Sequence, residues 1–169
     1  MRRSGARSRR AARARLVHFG RFAGGFLPAR CRGAQAELAS RWREFVKPVA
    51  IVTILALIEY MYIALLVGRA RGQYKVPAPA TTGDPIFERY FRVQQNTLEQ
   101  LVIFIPALWI FGSHLPRIAA LIGLGFIVGR FLYLQGYVRD PAQRGLGFGI
   151  GFLCNVTLVV GGLIATIVS

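Results

Sequence analysis

The chain has 169 residues, of which 54% are hydrophobic and only 17% are charged, so it has room for one small domain that is less polar than most soluble domains. Its net charge of +15 would by itself suggest nucleic-acid binding. However, 13 of the 22 lysines and arginines fall within residues 1–48, and no basic stripe with interleaved aromatic residues follows outside the apolar segments, which argues against that class.

The chain begins with a basic extension. Residues 1–36 contain many arginines and no Asp or Glu, a composition typical of organelle transit peptides, of a disordered arm or of an incorrectly assigned start. We expect residues 1–47 to be disordered or to lie at a membrane surface, with about 36–47 forming a short amphipathic helix. The fold is therefore expected in residues 48–169.

The first apolar segment, residues 49–68, reads VAIVTILALIEYMYIALLVG and contains a single charged residue, Glu59. About 20 apolar residues are needed to cross the hydrocarbon core of a bilayer, so this segment is predicted to span it. A longer loop follows, which contains Arg69, Arg71 and Lys75.

A second helix is predicted to begin at Pro85, because Asp84 suits the N-cap and proline suits the first helical position. Its first half is polar, whereas residues 101–112 are apolar. A helix over residues 85–112 would be about 42 Å long at 1.5 Å per residue. Such a helix spans the bilayer and projects into water at its start.

The third and fourth helices are predicted over about 117–138 and over 145–168. The third is apolar apart from Arg130, Gln135 and two tyrosines, and the fourth contains no charged residue. Gly147 and Gly151 in the fourth have the small-xxx-small spacing that lets membrane helices approach closely. The predicted fold class is therefore all-α, an integral membrane four-helix bundle.

Polar residues form one stripe on each of the two middle helices. Spacings of three and four residues place one group on a single face of the second helix and another on a single face of the third: Arg89, Arg92, Asn96 and Glu99, and Arg130, Tyr133 and Tyr137. Counted from the short turn between these helices, Glu99 and Arg130 lie at about the same depth. We expect an ion pair between them, with Glu59 as the rival partner of Arg130.

The remaining polar residues converge on the side of the two longer loops: Arg92, Asn96, Tyr133, Tyr137 and Arg144. Guanidinium groups pair with carboxylates in bidentate fashion, so the group suits a small, hydrophilic, anionic ligand, while the lipid would supply an apolar co-substrate. His18 and His114 are far apart, and the two cysteines have no metal-ligand spacing. No metal is expected.

Two stretches, TTGDPIFERYFRVQQNTLEQ (81–100) and HLPRIAALIGLGFIVGRFLYLQGYVRDPAQRG (114–145), resemble the MAPEG family, the membrane-associated proteins in eicosanoid and glutathione metabolism. The resemblance extends over nearly everything from residue 49 onward. It is closest to the branch of microsomal glutathione transferases 2 and 3 and leukotriene C4 synthase. It implies a homotrimer with glutathione bound between neighbouring subunits.

The resemblance also implies roles for individual residues. The positions that match glutathione-contacting residues of the family are Arg71, Arg92, Gln94, Asn96, Glu99, Arg130, Tyr133 and Tyr137. Arg144 matches the arginine that activates the thiol. Gln100 departs from the pattern, because the synthase has a glutathione-binding tyrosine there. This departure bears on the identity of the second substrate more than on glutathione binding.

The expected function is a membrane-bound glutathione transferase, a glutathione-dependent peroxidase, or both, acting on lipophilic electrophiles or lipid hydroperoxides. A non-catalytic lipid-binding protein of the lipoxygenase-activating type is the alternative, and an unrelated scaffold or small transporter ranks third. The basic extension and the basic loops cannot both face the inside. We expect the loops to face the cytoplasm, in a bacterial inner membrane ahead of the endoplasmic reticulum or the mitochondrial outer membrane.

Overall fold

The computed structural model describes residues 29–169, with the side chains of residues 29–45 described only in part. The predictions for residues 1–28 lie outside the described residues. The described part of the chain contains four α-helices and one short 3-10 helix that precedes the last of them. The bounds are α1 Ala29–Gln73, α2 Pro85–His114, α3 Pro116–Arg139, the 3-10 helix Pro141–Arg144, and α4 Gly145–Val168.

Contacts divide the chain after Trp42, and Arg43–Ser169 forms one compact unit. In the described part of the preceding unit, the Ser40 hydroxyl donates a hydrogen bond to the Glu37 carbonyl over 2.7 Å. Residues 36–47 are helical, but as part of the longer α1 rather than as the separate short helix that was predicted. Their place at a membrane surface stays a prediction.

All four helices of the described chain are long and apolar enough to cross a membrane. The candidate spans are Val46–Gln73, Pro85–His114, Pro116–Arg139 and Pro141–Val168. Large apolar side chains remain exposed on their outer faces, among them Leu65, Leu121 and Leu163, which suits a surface in contact with lipid. The protein is therefore an all-α, multi-pass membrane protein, as its sequence predicts.

Local interactions fix where the helices begin and end. Asp84 caps α2, because its Oδ1 accepts hydrogen bonds from the backbone N–H groups of Ile86 and Phe87 over 2.8 and 3.3 Å. Arg89 of α2 stabilises the C-terminal end of α3: its Nη1 donates to the carbonyls of Val138 and Arg139, each over 3.1 Å. These carbonyls end α3 and lack helical partners, so a cation stabilises them.

The core lies toward the turn between α2 and α3. Its centre is a stacked aromatic pair, Phe104 and Phe126, whose ring centroids are 4.0 Å apart. Val52 of α1 and Leu158 of α4 belong to the same buried cluster. Side chains from all four helices therefore meet here and hold the opposite, polar end of the bundle in register.

Glycines bring α3 and α4 into close contact. A Cβ atom at Gly129 would lie 2.9 Å from the Gly151 nitrogen, and one at Gly147 would meet the backbone of Tyr133. Both α4 glycines are buried. The small-xxx-small spacing thus serves helix packing, as predicted, and it fixes the height at which Tyr133 faces α4.

Candidate functional site

The polar ends of α2, α3 and α4 surround a cavity of about 310 Å³. We call it the polar cavity; it is lined by Arg92, Asn96, Tyr133, Arg144, Gly145 and Phe148. Four of the predicted site residues, from three helical elements, therefore meet in one place.

Each of these side chains is positioned by its own element. Arg92 and Asn96 are four residues apart on α2 and so share one face. Tyr133 is held against α4 because Gly147 leaves no side chain between them. Arg144 ends the 3-10 helix that starts after Asp140, whose Oδ1 accepts from the Ala142 N–H over 3.0 Å. Arg144 is exposed, so its guanidinium can meet a ligand that enters from water.

Arg130 does not line the polar cavity but lies behind it, fully buried. Its Nη1 donates to Asn96 Oδ1 over 3.1 Å and its Nη2 to Thr97 Oγ1 over 2.7 Å. The guanidinium carbon also lies 4.2 Å from the centroid of the Tyr133 ring, in the range of a cation–π interaction. Arg130 therefore holds two residues of the cavity wall in place.

The predicted ion pair between Glu99 and Arg130 is wrong. Among the described side chains, Glu99 instead accepts a hydrogen bond from Asn96 Nδ2 over 3.4 Å, and no ion pair within 4.0 Å joins it to Arg130. Equal depth did bring Arg130 to the same part of α2, but Glu99 lies on an exposed face while Arg130 points inward. The neutral acceptors of Asn96 and Thr97 face Arg130 instead.

Three further predicted residues do not line the polar cavity. Tyr137 is adjacent to it, with its ring centroid 5.5 Å from that of Tyr133. Arg71 is engaged in the loop after α1, where its Nη1 donates to the carbonyls of Val76 and Ala80 over 3.2 and 2.8 Å. Gln94 is half-buried and lies about 200° around α2 from Arg92, so it faces away.

An apolar groove of about 440 Å³ runs between α2 and α4 and meets the polar cavity. Asn96 and Phe148 line both. The other residues of the groove are Glu99, Gln100, Ile103, Phe152, Asn155, Val156, Val159 and Val160. Two of these residues are hydrogen-bonded to each other: Asn155 Nδ2 donates to Gln100 Oε1 over 3.3 Å.

Sequence reasoning missed Phe148 and Asn155. Phe148 follows Arg144 by four residues, a spacing that places both on one helix face and could have identified it. Asn155 carries a polar side chain inside an otherwise apolar span, which is itself a signal. Thr97, which anchors Arg130, had no such signal because a threonine is ordinary in a membrane helix.

The arrangement suits two reactants of opposite polarity. Two guanidinium groups, an amide and a phenol in the polar cavity can bind an anionic, hydrophilic molecule. The groove can bind an apolar molecule that reaches it from the bilayer. Within residues 29–169, no group of three or more His, Cys, Asp or Glu side chains is placed to hold a metal ion.

Comparison with known proteins agrees with this architecture. The MAPEG family model matches residues 49–164, which include most of all four spans. An uncharacterized protein from Synechocystis is 47% identical over 117 residues, 69% of this chain and 85% of that protein. Human microsomal glutathione S-transferase 2 is 45% identical over 114 residues, 66% of this chain and 78% of the relative. Bovine leukotriene C4 synthase is 39% identical over 103 residues, which are 60% of this chain and 69% of the synthase. The four-helix protein described here belongs to the MAPEG family.

Proposed function

We propose that the protein is a membrane-bound glutathione transferase that joins the glutathione thiol to a lipophilic electrophile. The observation that carries this proposal is the junction of the polar cavity with the apolar groove at Asn96 and Phe148. A water-soluble thiol and a lipid-soluble electrophile could meet there. The similarity to microsomal glutathione S-transferase 2 supports the same chemistry.

The charges around the cavity complement those of glutathione, which has two carboxylates, one ammonium group and one thiol. Arg92 suits a carboxylate, and the exposed Glu99 suits the ammonium group. Asn96, Tyr133 and Tyr137 would add hydrogen bonds, while Arg130 would act from behind the wall. Arg71 and Gln94 face elsewhere in the single chain. In a homotrimer with sites between subunits, a neighbouring copy would supply them.

Arg144 is the proposed catalytic residue. A free thiol has a pKa of about 8.5, so only a few per cent is thiolate at neutral pH. A guanidinium beside the sulfur favours the anion, and the exposed position of Arg144 lets the released proton leave to water. The thiolate sulfur then forms a bond to the electrophilic carbon, whose displaced electron pair leaves with the leaving group or adds to the conjugated system. Glutathione is the nucleophile, so the protein need not supply one.

The same thiolate could reduce a lipid hydroperoxide. Attack on the outer peroxide oxygen would release the alcohol, and a second glutathione would then give the disulfide and water. We include this peroxidase reaction in the proposal because the apolar lining of the groove suits acyl chains as well as other lipophiles. The apolar lining of the groove, taken alone, also fits the alternative of a non-catalytic lipid-binding protein.

The test is glutathione-dependent turnover of the purified full chain in detergent. Conjugation of a general aryl halide and reduction of a fatty-acid hydroperoxide are measured separately, together with glutathione binding by calorimetry. Turnover of either substrate supports the proposal and identifies the reaction. A protein that binds fatty acid but neither binds nor uses glutathione would be a lipid-binding member of the family, and the enzyme proposal would fail.

We further propose that the polar cavity faces the cytoplasm of a bacterium, where glutathione is available. The Synechocystis relative, 47% identical, supports a bacterial membrane, and human microsomal glutathione S-transferase 2, 45% identical, supports the endoplasmic reticulum as the alternative. A cysteine placed at Lys75, in a chain with Cys31 and Cys154 replaced by serine, should resist a membrane-impermeant maleimide in intact cells and react after lysis. Labelling of intact cells would place the cavity on the outer face.

A further inference from the structure

Glu59 is a charged residue that the proposed mechanism does not use. It lies within the apolar span Val46–Gln73 of α1, where a carboxylate is costly unless it has a partner or a function. Its Oε1 is buried and makes no hydrogen bond to any residue that the structure describes. We therefore expect this carboxylate to have a partner or a function within the bundle.

The packing of α1 against α3 puts Glu59 level with Arg130. At one end of the contact, a Cβ atom on Gly123 would lie 2.6 Å from Val52 Cγ1. At the other end, Ile63 belongs to one buried cluster with Tyr133 and Leu134. In both pairings, the residue on α3 follows the residue on α1 by nearly the same number of positions along the chain. Glu59, seven residues after Val52, is thus level with the residue seven after Gly123, which is Arg130.

One hydrogen-bond donor of the Arg130 guanidinium has no acceptor among the described residues. Its Nη1 and Nη2 are engaged with Asn96 and Thr97 on α2, but its Nε is buried and makes no hydrogen bond within the described chain. Its two acceptors are neutral, so they do not balance its charge. A buried orphan acceptor and a buried orphan donor of opposite charge therefore lie at one level of the bundle.

We propose that Glu59 is a positioning residue of the polar cavity, whose carboxylate balances the buried charge of Arg130 and so keeps the Asn96 amide turned toward the ligand. This inference rests on the proposed glutathione chemistry. Asn96 is the link: its Oδ1 accepts from Arg130, and its Nδ2 faces Glu99 at the junction of cavity and groove. A residue of α1 thereby affects the orientation of a side chain in the wall of a cavity that α2, α3 and α4 form.

Loss of the carboxylate should act on glutathione binding more than on the chemical step. An unbalanced guanidinium in an apolar interior draws in water or turns toward another acceptor, and Asn96 then loses the donor that fixes its amide. A hydrogen bond to a charged group is worth roughly a tenfold change in affinity or more. Arg144 lies on another element, so the reactivity of the bound thiolate should change little.

The experiment compares Glu59→Gln with Glu59→Asp, and with Tyr62→Phe as the matched control. Tyr62 lines the same outer groove between α1 and α3 as Glu59 but does not line the polar cavity, and Asp restores the charge one methylene shorter. KM for glutathione, KM for the aryl halide, kcat and the melting temperature are measured for each. We expect Gln to raise KM for glutathione roughly tenfold with kcat within about threefold, Asp to recover most of the loss, and Phe to behave as wild type.

A second comparison isolates the coupling to Arg130. In an Arg130→Gln background there is no charge to balance, so Glu59→Gln should add little to KM for glutathione. A normal KM in the Glu59→Gln protein, or an equal rise in both backgrounds, would overturn the inference while leaving the transferase proposal intact. A lowered melting temperature without any change in KM would reduce Glu59 to a structural role. A wild-type protein that neither binds nor uses glutathione would overturn both proposals.

Discussion

Replacement of Arg144 by alanine tests the central chemical step, thiolate formation. Arg144 lines the polar cavity but is itself exposed, so its field is partly screened by water. For a sulfur about 4 Å from the guanidinium, an effective dielectric constant of about 40, between a protein surface and bulk water, gives about 2 kcal/mol. Since 1.36 kcal/mol corresponds to one pKa unit, the thiol pKa would fall from about 8.5 to about 7.

This pKa change sets the size and the pH dependence of the effect. At pH 7 about half of the bound thiol is thiolate beside Arg144 and about 3% without it, so kcat should fall roughly 15-fold in the alanine variant. The group whose pKa is lowered is the thiol, so the deficit should shrink as pH rises. Near pH 9 the two proteins should differ by less than about twofold, because the thiol ionises without help.

The assay is kcat for the aryl halide between pH 6 and pH 9.5, with glutathione affinity measured alongside. Arg139→Ala is the matched control: Arg139 belongs to the same polar end and is exposed, but its side chain does not line the polar cavity. Glutathione affinity should change by less than about threefold in both variants, since Arg92 and Asn96 remain. A 15-fold loss that persists unchanged at pH 9.5, or no loss at pH 7, would refute thiolate stabilisation by Arg144.

Two further predictions concern packing and substrate access. Gly147→Ala should lower the melting temperature in detergent and impair glutathione binding, because the added methyl group would lie 2.6 Å from Tyr133 Cα. Gly149→Ala is the control and should do neither, because a Cβ atom at Gly149 would have nothing within 4 Å. Equal melting temperatures of the two variants would contradict the close packing of α3 on α4. Val160→Trp should fill the apolar groove and raise KM for a long-chain electrophile several-fold while sparing a small aryl halide. Val128→Trp, in the groove between α1 and α3, is its control, and an equal effect of both would show that the first groove does not admit the substrate.

The helices could be predicted from the sequence because their signals are local. Asp84 followed by proline fixed the start of α2, and the uncharged run after Arg144 gave both ends of α4, which the structure confirms at Gly145–Val168. The fold class followed from four such segments. The MAPEG resemblance, carried by residues 81–100 and 114–145, is confirmed by the family match.

Contacts between helices were predicted less well, because residue spacing gives depth and face but not the rotation of one helix against another. Equal depth brought Arg130 to the level of Asn96 and Thr97, yet the rotation of α2 turned Glu99 away. Arg71 was similarly out of reach of prediction: its hydrogen bonds to Val76 and Ala80 depend on a loop path that no periodicity encodes. The ligand roles of the site residues stay predictions until glutathione binding is measured.

The shared wall at Phe148 has a consequence for how a product leaves. In the proposed reaction each reactant arrives through its own opening, but the conjugate is one molecule with a charged head in the polar cavity and an apolar tail in the groove. It cannot retreat through either opening alone, because the tail would enter water or the head would enter hydrocarbon. Departure must therefore be sideways along the membrane surface, past the Phe148 ring, which is 40% exposed.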